Sequence, residues 1–350
     1  MKRYLFILAI ITIFIIGCVN SPMPIHLESM TLPENALLIA NYNGGAGTIS
    51  TIDLESGYVQ RDVVGVGNTP NDLAWADGQL FVINSQSHDM NVFMFQQPNK
   101  LVWDGIIDLG LKDGRSPQLA TVSGAKMYIS NFTTNDLTVV DHQNHNVNPR
   151  RIAVGLAPAG LSATYGNVYV CNSGFHLDTW AYDDPGIVYV VSTVTDRITD
   201  TIEVGVNPQF AALDSDGRVH IVCTGNHVDT PGSVHIVDTH TNDVVQVIEI
   251  GGTPGHLAIT SNGYGYIAAG GWGDGPGLVF RYEVSTGVIL NGPDNPIETG
   301  AGATRVIASS DNSVYVSCFS GDRVNKIEGE SVVAGYVVGD GPGAMIIIER

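Results

Sequence analysis

The chain has 350 residues and a formal net charge of −19, with 44% apolar residues and only 15% charged ones. A surface this acidic repels nucleic acid and anionic lipid headgroups, so neither is expected as a partner through general electrostatics. The same charge favours a soluble monomer.

Read from the start, Lys2 and Arg3 form a charged n-region and Leu5 to Ile16 an almost unbroken apolar run. That run is too short for a comfortable membrane span and has the layout of a secretory signal over residues 1–17. It ends in Ile15-Ile16-Gly17-Cys18, which resembles a bacterial lipobox. The resemblance implies that Cys18 is acylated through its sulfur, becomes the new N-terminus and ties the exported protein to the membrane of the cell envelope. Val19 stands where an inner-membrane retention aspartate would be, which favours the outer membrane in a cell that has two. Residues 18–35, with Pro22, Pro24 and Pro33 and no periodicity, are expected to be a flexible tether. Residues 36–350 read as one domain.

Within that domain a phrase recurs: Gly67-Asn68-Thr69-Pro70, Gly114-Arg115-Ser116-Pro117, Gly155-Leu156-Ala157-Pro158, Gly205-Val206-Asn207-Pro208, Gly251-Gly252-Thr253-Pro254 and Gly339-Asp340-Gly341-Pro342, with a degenerate copy at Gly300–Ala303. From proline (or Ala303) to proline the steps are 47, 41, 50, 46, 49 and 39 residues. Each copy precedes a short apolar strand such as Leu73-Ala74-Trp75, a tight turn such as Asp77-Gly78 or Asn262-Gly263, and a β-rich second strand such as Val168-Tyr169-Val170-Cys171-Asn172. Third and fourth strands follow, for example Val234–Asp238 and Val244–Ile250. Repeats of this period with four short strands each predict propeller blades.

Second strands ending in Asn41, Asn84, Asn131 and Asn172, and the strand pair Val234–Asp238 and Val247–Ile250 running into Gly251, resemble YVTN-type β-propeller repeats. The position drifts to Thr224, Ala269 and Cys318 in later repeats, and the Trp-Asp signature of WD40 repeats does not recur from one repeat to the next. The chain ends sharpen the count. One strand, Ala344–Ile348, remains after Pro342, and the first unit, from Ala36, lacks a first strand. The fold class is therefore all-β: a seven-bladed propeller of four-stranded antiparallel blades, closed by the C-terminal strand pairing into blade one.

Two sets of residues are candidates for ligand contact on one face of the disc. Those just after the prolines ring the central channel: Asn71, Asp72, Gln118, Gln209, His256 and Arg305. The loops between second and third strands of blades four to six read Gly174-Phe175-His176-Leu177-Asp178, Gly225-Asn226-His227-Val228-Asp229 and Gly270-Gly271-Trp272-Gly273-Asp274. They bring His176, Asp178, His227, Asp229, Trp272 and Asp274 to one rim. Two imidazoles among carboxylates suit a divalent cation at His176 and His227, while the aromatics suit an organic ligand or peptide. Loop capping by Asp is the alternative.

No His-Glu-x-x-His, Cys-x-x-Cys, Gly-x-Ser-x-Gly or phosphate-loop phrase occurs, and no cofactor is implied. Cys171, Cys223 and Cys318, an odd set beside Cys18, read as buried apolar residues. The expectation is an envelope lipoprotein whose propeller rim binds a protein, peptide or small ligand without catalysis. The alternatives are a metal-binding protein, or an enzyme like the propeller lactonases and lyases, working through channel-mouth His and Asp residues. Intact-mass analysis of the membrane-extracted protein is expected to show a chain beginning at an acylated Cys18; an unmodified Cys18 would remove the anchor.

Overall fold

The structure, a computed structural model, describes residues 29–110, 113–148, 150–271 and 275–350. Seven antiparallel sheets of four main strands each follow one another along the chain. The innermost strands are Pro342–Glu349 for blade one, then Pro70–Ala76, Pro117–Ser123, Pro158–Thr164, Pro208–Leu213, Leu257–Ile259 and Ala303–Ala308. Each packs beside the next, and Ala303–Ala308 packs beside Pro342–Glu349, so the ring is closed. Closure is made by the C-terminal strand, whose Ile348 pairs with Ala36 and Pro342 with Asn41.

The core lies between blades rather than inside one. Among the described residues there are seven apolar clusters, one at each junction between neighbouring blades. Alternate residues of one strand serve opposite junctions: Leu38 faces blade two, and Leu37 and Ile39 face blade seven. A second strand is thus buried on both faces, which is why it reads as a continuous apolar run instead of alternating. On the lower face, second-strand aromatics reach the outer turn of the next blade. The Tyr128 hydroxyl donates to Asp196 at 2.7 Å, that of Tyr169 to Asn242 at 2.6 Å and that of Tyr266 to the Gly329 carbonyl at 2.9 Å.

The recurring phrase has a mechanical explanation. In five of its six proline-bearing copies the residue before proline has a left-handed backbone: Thr69, Ser116, Ala157, Asn207 and Gly341, at φ between 51° and 61°. This turns its carbonyl toward the loop after the second strand. Ser85 N donates to Thr69 O at 2.9 Å, Ser173 N to Ala157 O at 3.1 Å and Thr224 N to Asn207 O at 2.9 Å. The phrase glycine lies against the end of the second strand. A Cβ on Gly67 would sit 2.6 Å from Asn84 Nδ2, and one on Gly155 2.7 Å from Asn172 Cγ. Those asparagines in turn tie strand two to strand three, with Asn84 Nδ2 donating to Asn91 at 2.9 Å and Asn131 Nδ2 to Thr138 at 2.9 Å. In blade five the residue opposite Pro208 is Cys223 rather than Thr224, so the sequence register slips by one there. The three cysteines are buried and unpaired, and burial pushes the Cys223 thiol up to about 12.

The expected tether through residue 35 needs correction. Ser29–Thr31 pairs with Lys100–Val102 and adds a fifth strand to the outer edge of blade two. The Arg350 side chain then clasps this segment, donating to Leu32 O at 3.2 Å and Pro33 O at 2.7 Å while lying over Phe95. Backbone pairing and a C-terminal guanidinium outweigh the proline content that suggested a free linker. Cys18 and the rest of residues 1–28 lie outside the described residues.

Between blades five and six, Tyr282 Oη lies 2.7 Å from His220 Nδ1, and His220 Nε2 lies 3.1 Å from Asp214 Oδ2. The chain of bonds is complete when the hydroxyl donates to Nδ1 and Nε2–H donates to the carboxylate. Burial alone would raise the Asp214 carboxyl, but hydrogen bonds from His220 and from the backbone and side chain of Arg218 outweigh it and hold it well below the ordinary 3.8. A depressed carboxyl stabilises the fold above its unfolded value and loses that contribution as pH falls toward its folded value. Asp214→Asn is therefore predicted to lower the melting temperature at pH 7, with the difference from wild type shrinking below about pH 4; a pH-independent difference would count against the ionised network.

Candidate functional site

The channel mouth is built by a repeated irregularity. Next to the inner-strand proline, the pairing with the second strand shifts register in six blades, between Pro70 and Asp72, Pro208 and Phe210, Ala303 and Arg305, and at the matching places of blades one, three and four. A bulge re-aims the side chains that follow it, here toward the axis of the ring. Blades one and four contribute only small residues there, Gly343 with Ala344 and Ala159 with Gly160. The room this leaves is used by the other blades.

Arg305 of blade seven extends across the mouth. Its guanidinium lies 4.8 Å from the centre of the Phe210 ring of blade five, and its Nη2 donates to Asn71 O of blade two at 3.1 Å. Asn71 Nδ2 donates to Gln118 Oε1 of blade three at 2.7 Å, and Gln118 Nε2 to Ser116 Oγ at 3.0 Å. On the other side, the His256 ring of blade six meets the Phe210 ring at 4.7 Å, and its Nδ1 accepts from Val306 N at 3.5 Å. Asp72 Oδ2 accepts from Ala120 N at 2.8 Å. Five blades thus share one connected polar and aromatic set, and Arg305 Nη1 is buried with no hydrogen-bond partner among the described residues.

The charges in this set oppose and compromise one another. Burial pushes the Asp72 carboxyl up to about 6, against the pull of Arg305 and of two backbone N–H groups. Burial and then the nearby Arg305 cation hold His256 well below its usual 6.5, so it is neutral at pH 7. Arg305 is itself lowered by burial and partly restored by Asp72, and a guanidinium remains a cation under such a shift. The mouth therefore presents a half-buried cation whose Nη1 has no partner among the described residues, beside a carboxyl pushed up to about 6.

Asp72, Gln118, His256 and Arg305 are brought together. Gln209 is not: its Nε2 turns back to Asn207 Oδ1 at 2.6 Å. Phe210, missing from the candidates, is the plate between Arg305 and His256. Its signal was its place two residues after proline, shared with Asp72 and His256, but its apolar character read as core.

On the rim, His176 Nε2 pairs with Asp183 Oδ1 at 2.8 Å and not with Asp178, because Phe175–His176 and Ala181–Tyr182 form a small hairpin whose tip carries Asp178. His227 packs on Tyr182 at 6.1 Å between ring centres. Asp229 accepts from Asn226 Nδ2 at 2.7 Å, closing its own loop. Trp272 and Asp274 lie outside the described residues. Among the described residues no three His, Cys, Asp or Glu side chains converge as a metal site. His88 accepts from Ser116 N at 2.9 Å through Nδ1, bracing the crossing into blade three. A separate cleft of about 300 Å³ on the flank of blades two and three is lined by Asp104, Asp108 and His145. His145 is already held there by Gln79 at 2.7 Å and Asp104 at 3.7 Å.

No protein-family model matches the chain, and no curated protein matches its sequence. Solved structures do resemble it. A putative 6-phosphogluconolactonase from Bacteroides fragilis superposes with a TM-score of 0.69 at 13% identity, covering 90% of this chain and 98% of its own. Hydrazine synthase from Kuenenia stuttgartiensis gives 0.62 at 17% identity over 79% and 88%. Virginiamycin B lyase from Staphylococcus aureus gives 0.58 at 10% identity over 79% and 87%. At these identities the likeness establishes the seven-bladed propeller and leaves the chemistry to the site.

Because the Asp72 carboxyl is raised, its charged form is disfavoured in the folded state. The native protein is expected to lose stability as pH rises from 3.8 toward about 6, by roughly 3 kcal/mol in all. Asp72→Asn keeps an oxygen for Ala120 N and is predicted to melt higher than wild type at pH 7 but not at pH 4; equal melting at both would show that the carboxyl is not desolvated.

Proposed function

We propose that the protein is an exported, lipid-anchored propeller that binds a small anionic ligand over the mouth of its central channel. The observation that carries this is Arg305: a half-buried cation held across the ring by Phe210 and Asn71, whose buried Nη1 has no hydrogen-bond partner among the described residues. A carboxylate or phosphate supplies the missing acceptor, and charge-assisted hydrogen bonds are the strong kind in a desolvated site. Gln118 and neutral His256 add polar contacts on either side. The lipobox at Cys18 supports the envelope location.

A second reading rests on Asp72. A carboxyl near 6 beside a fixed cation suits general acid–base work at neutral pH, and some of the similar structures carry lactonase or lyase names.

Calorimetric titration of residues 19–350 with gluconate and 6-phosphogluconate tests the first reading. Binding is expected to strengthen as pH falls through about 6, where Asp72 loses the negative charge that competes for Arg305. Arg305→Gln is expected to weaken it by at least about tenfold, the worth of one charge-assisted hydrogen bond. Binding unaffected by Arg305→Gln would overturn the assignment. Hydrolysis of 6-phosphogluconolactone that disappears in Asp72→Asn would instead favour the catalytic reading.

A further inference from the structure

The hairpin of blade four stands on the same face as the channel mouth but takes no part in the Arg305 set. It is braced from both sides. Buried Phe175 packs on Phe132 of blade three at 6.4 Å between ring centres, on Trp180 at 5.8 Å and on Tyr182 at 5.1 Å. Tyr182 continues the row to His227 of blade five at 6.1 Å. What this aromatic row supports is an apolar tip held out in water. Trp180 and Leu177 are each 45% exposed, and Val228 on the adjoining blade-five loop is 71% exposed.

Trp180 also has φ 57°, fixed by the hydrogen bond from its N–H to His176 O at 2.9 Å. A left-handed backbone at a bulky residue costs roughly 1–2 kcal/mol. Here that cost places an indole in solvent, where it gains little burial in return. The surroundings are of one charge. Residues 174–185 and 225–231 contain Asp178, Asp183, Asp184 and Asp229, all exposed, and no lysine or arginine.

From this combination we infer that the crest of blades four and five docks a basic, partly apolar peptide segment of a partner protein. Lysine or arginine side chains meet the four carboxylates and the face of Trp180, and apolar side chains cover Leu177 and Val228. The carboxylates set this partner apart from a bilayer, since anionic headgroups are repelled by both the crest and the net charge of the chain. The inference is independent of the channel-mouth reading.

The test uses residues 19–350 and a fluorescein-labelled nonapeptide of alternating lysine and leucine, followed by fluorescence anisotropy at low and high salt. The wild type is expected to bind, more weakly at high salt, and a glutamate–leucine peptide is expected not to. Trp180→Ala leaves the charge unchanged and is expected to weaken binding by about tenfold or more, whereas Trp180→Phe stays within about threefold. Leu177→Ser, at the other end of the same tip, is the second variant and is expected to weaken binding too. Unaltered binding in both Trp180→Ala and Leu177→Ser would mean that net charge alone attracts the peptide, and would overturn the proposal. So would Trp180-dependent association with phosphatidylcholine–phosphatidylglycerol vesicles.

Discussion

In most blades the two carbonyls that precede the start of the innermost strand accept the first N–H groups after the second strand, and the glycine immediately before those two residues seats against that strand's last side chain. Asn68 and Thr69 with Gln86 and Ser85, and Leu156 and Ala157 with Gly174 and Ser173, are two examples. This junction is where one blade hands the chain to the next. It sets how far the inner strand stands from its neighbour, where the following bulge falls, and how the upper loops leave the sheet. The channel mouth and the blade-four hairpin are both mounted on it.

The channel set illustrates what such mounting permits. Side chains from five blades meet only because the inner strands form a closed ring and each bulge turns its residues inward. Arg305 reaches Asn71, 234 residues away in sequence, past the small residues of blade one. Desolvation makes the charges there costly, and Asp72 rises to about 6 even with a guanidinium nearby. Asp214 is the contrast: a buried carboxylate, it is satisfied by His220 and Arg218 and serves the junction of blades five and six.

Much of the fold was legible in the residues. The period, the turn dipeptides and the unpaired strands at the two ends gave seven blades and the closing strand, because each depends on local geometry repeated many times. The candidate site was legible in part. Position relative to proline marked Asp72, Gln118, His256 and Arg305, but the same rule included Gln209, which turns back on its own crossing, and passed over Phe210. The rim was read through a shared Gly-x-(His/Trp)-x-Asp spelling. The structure pairs His176 with Asp183 and ties Asp229 to Asn226, so loops of like spelling hold their polar side chains in different ways. Ser29–Thr31 was lost as a strand for a related reason: its partner, Lys100–Val102, lies about seventy residues along the chain.

The sequence by itself determined the architecture. Blade, turn and closure are written in short-range patterns, and seven repetitions average out local exceptions. Only the tertiary structure decided which polar residues face one another across the ring, which are consumed by the crossings and which, like Arg305 Nη1, have no partner among the described residues. Those outcomes depend on distances between side chains on different blades, and on the desolvation that enclosure imposes; neither has a counterpart in the order of residues along the chain.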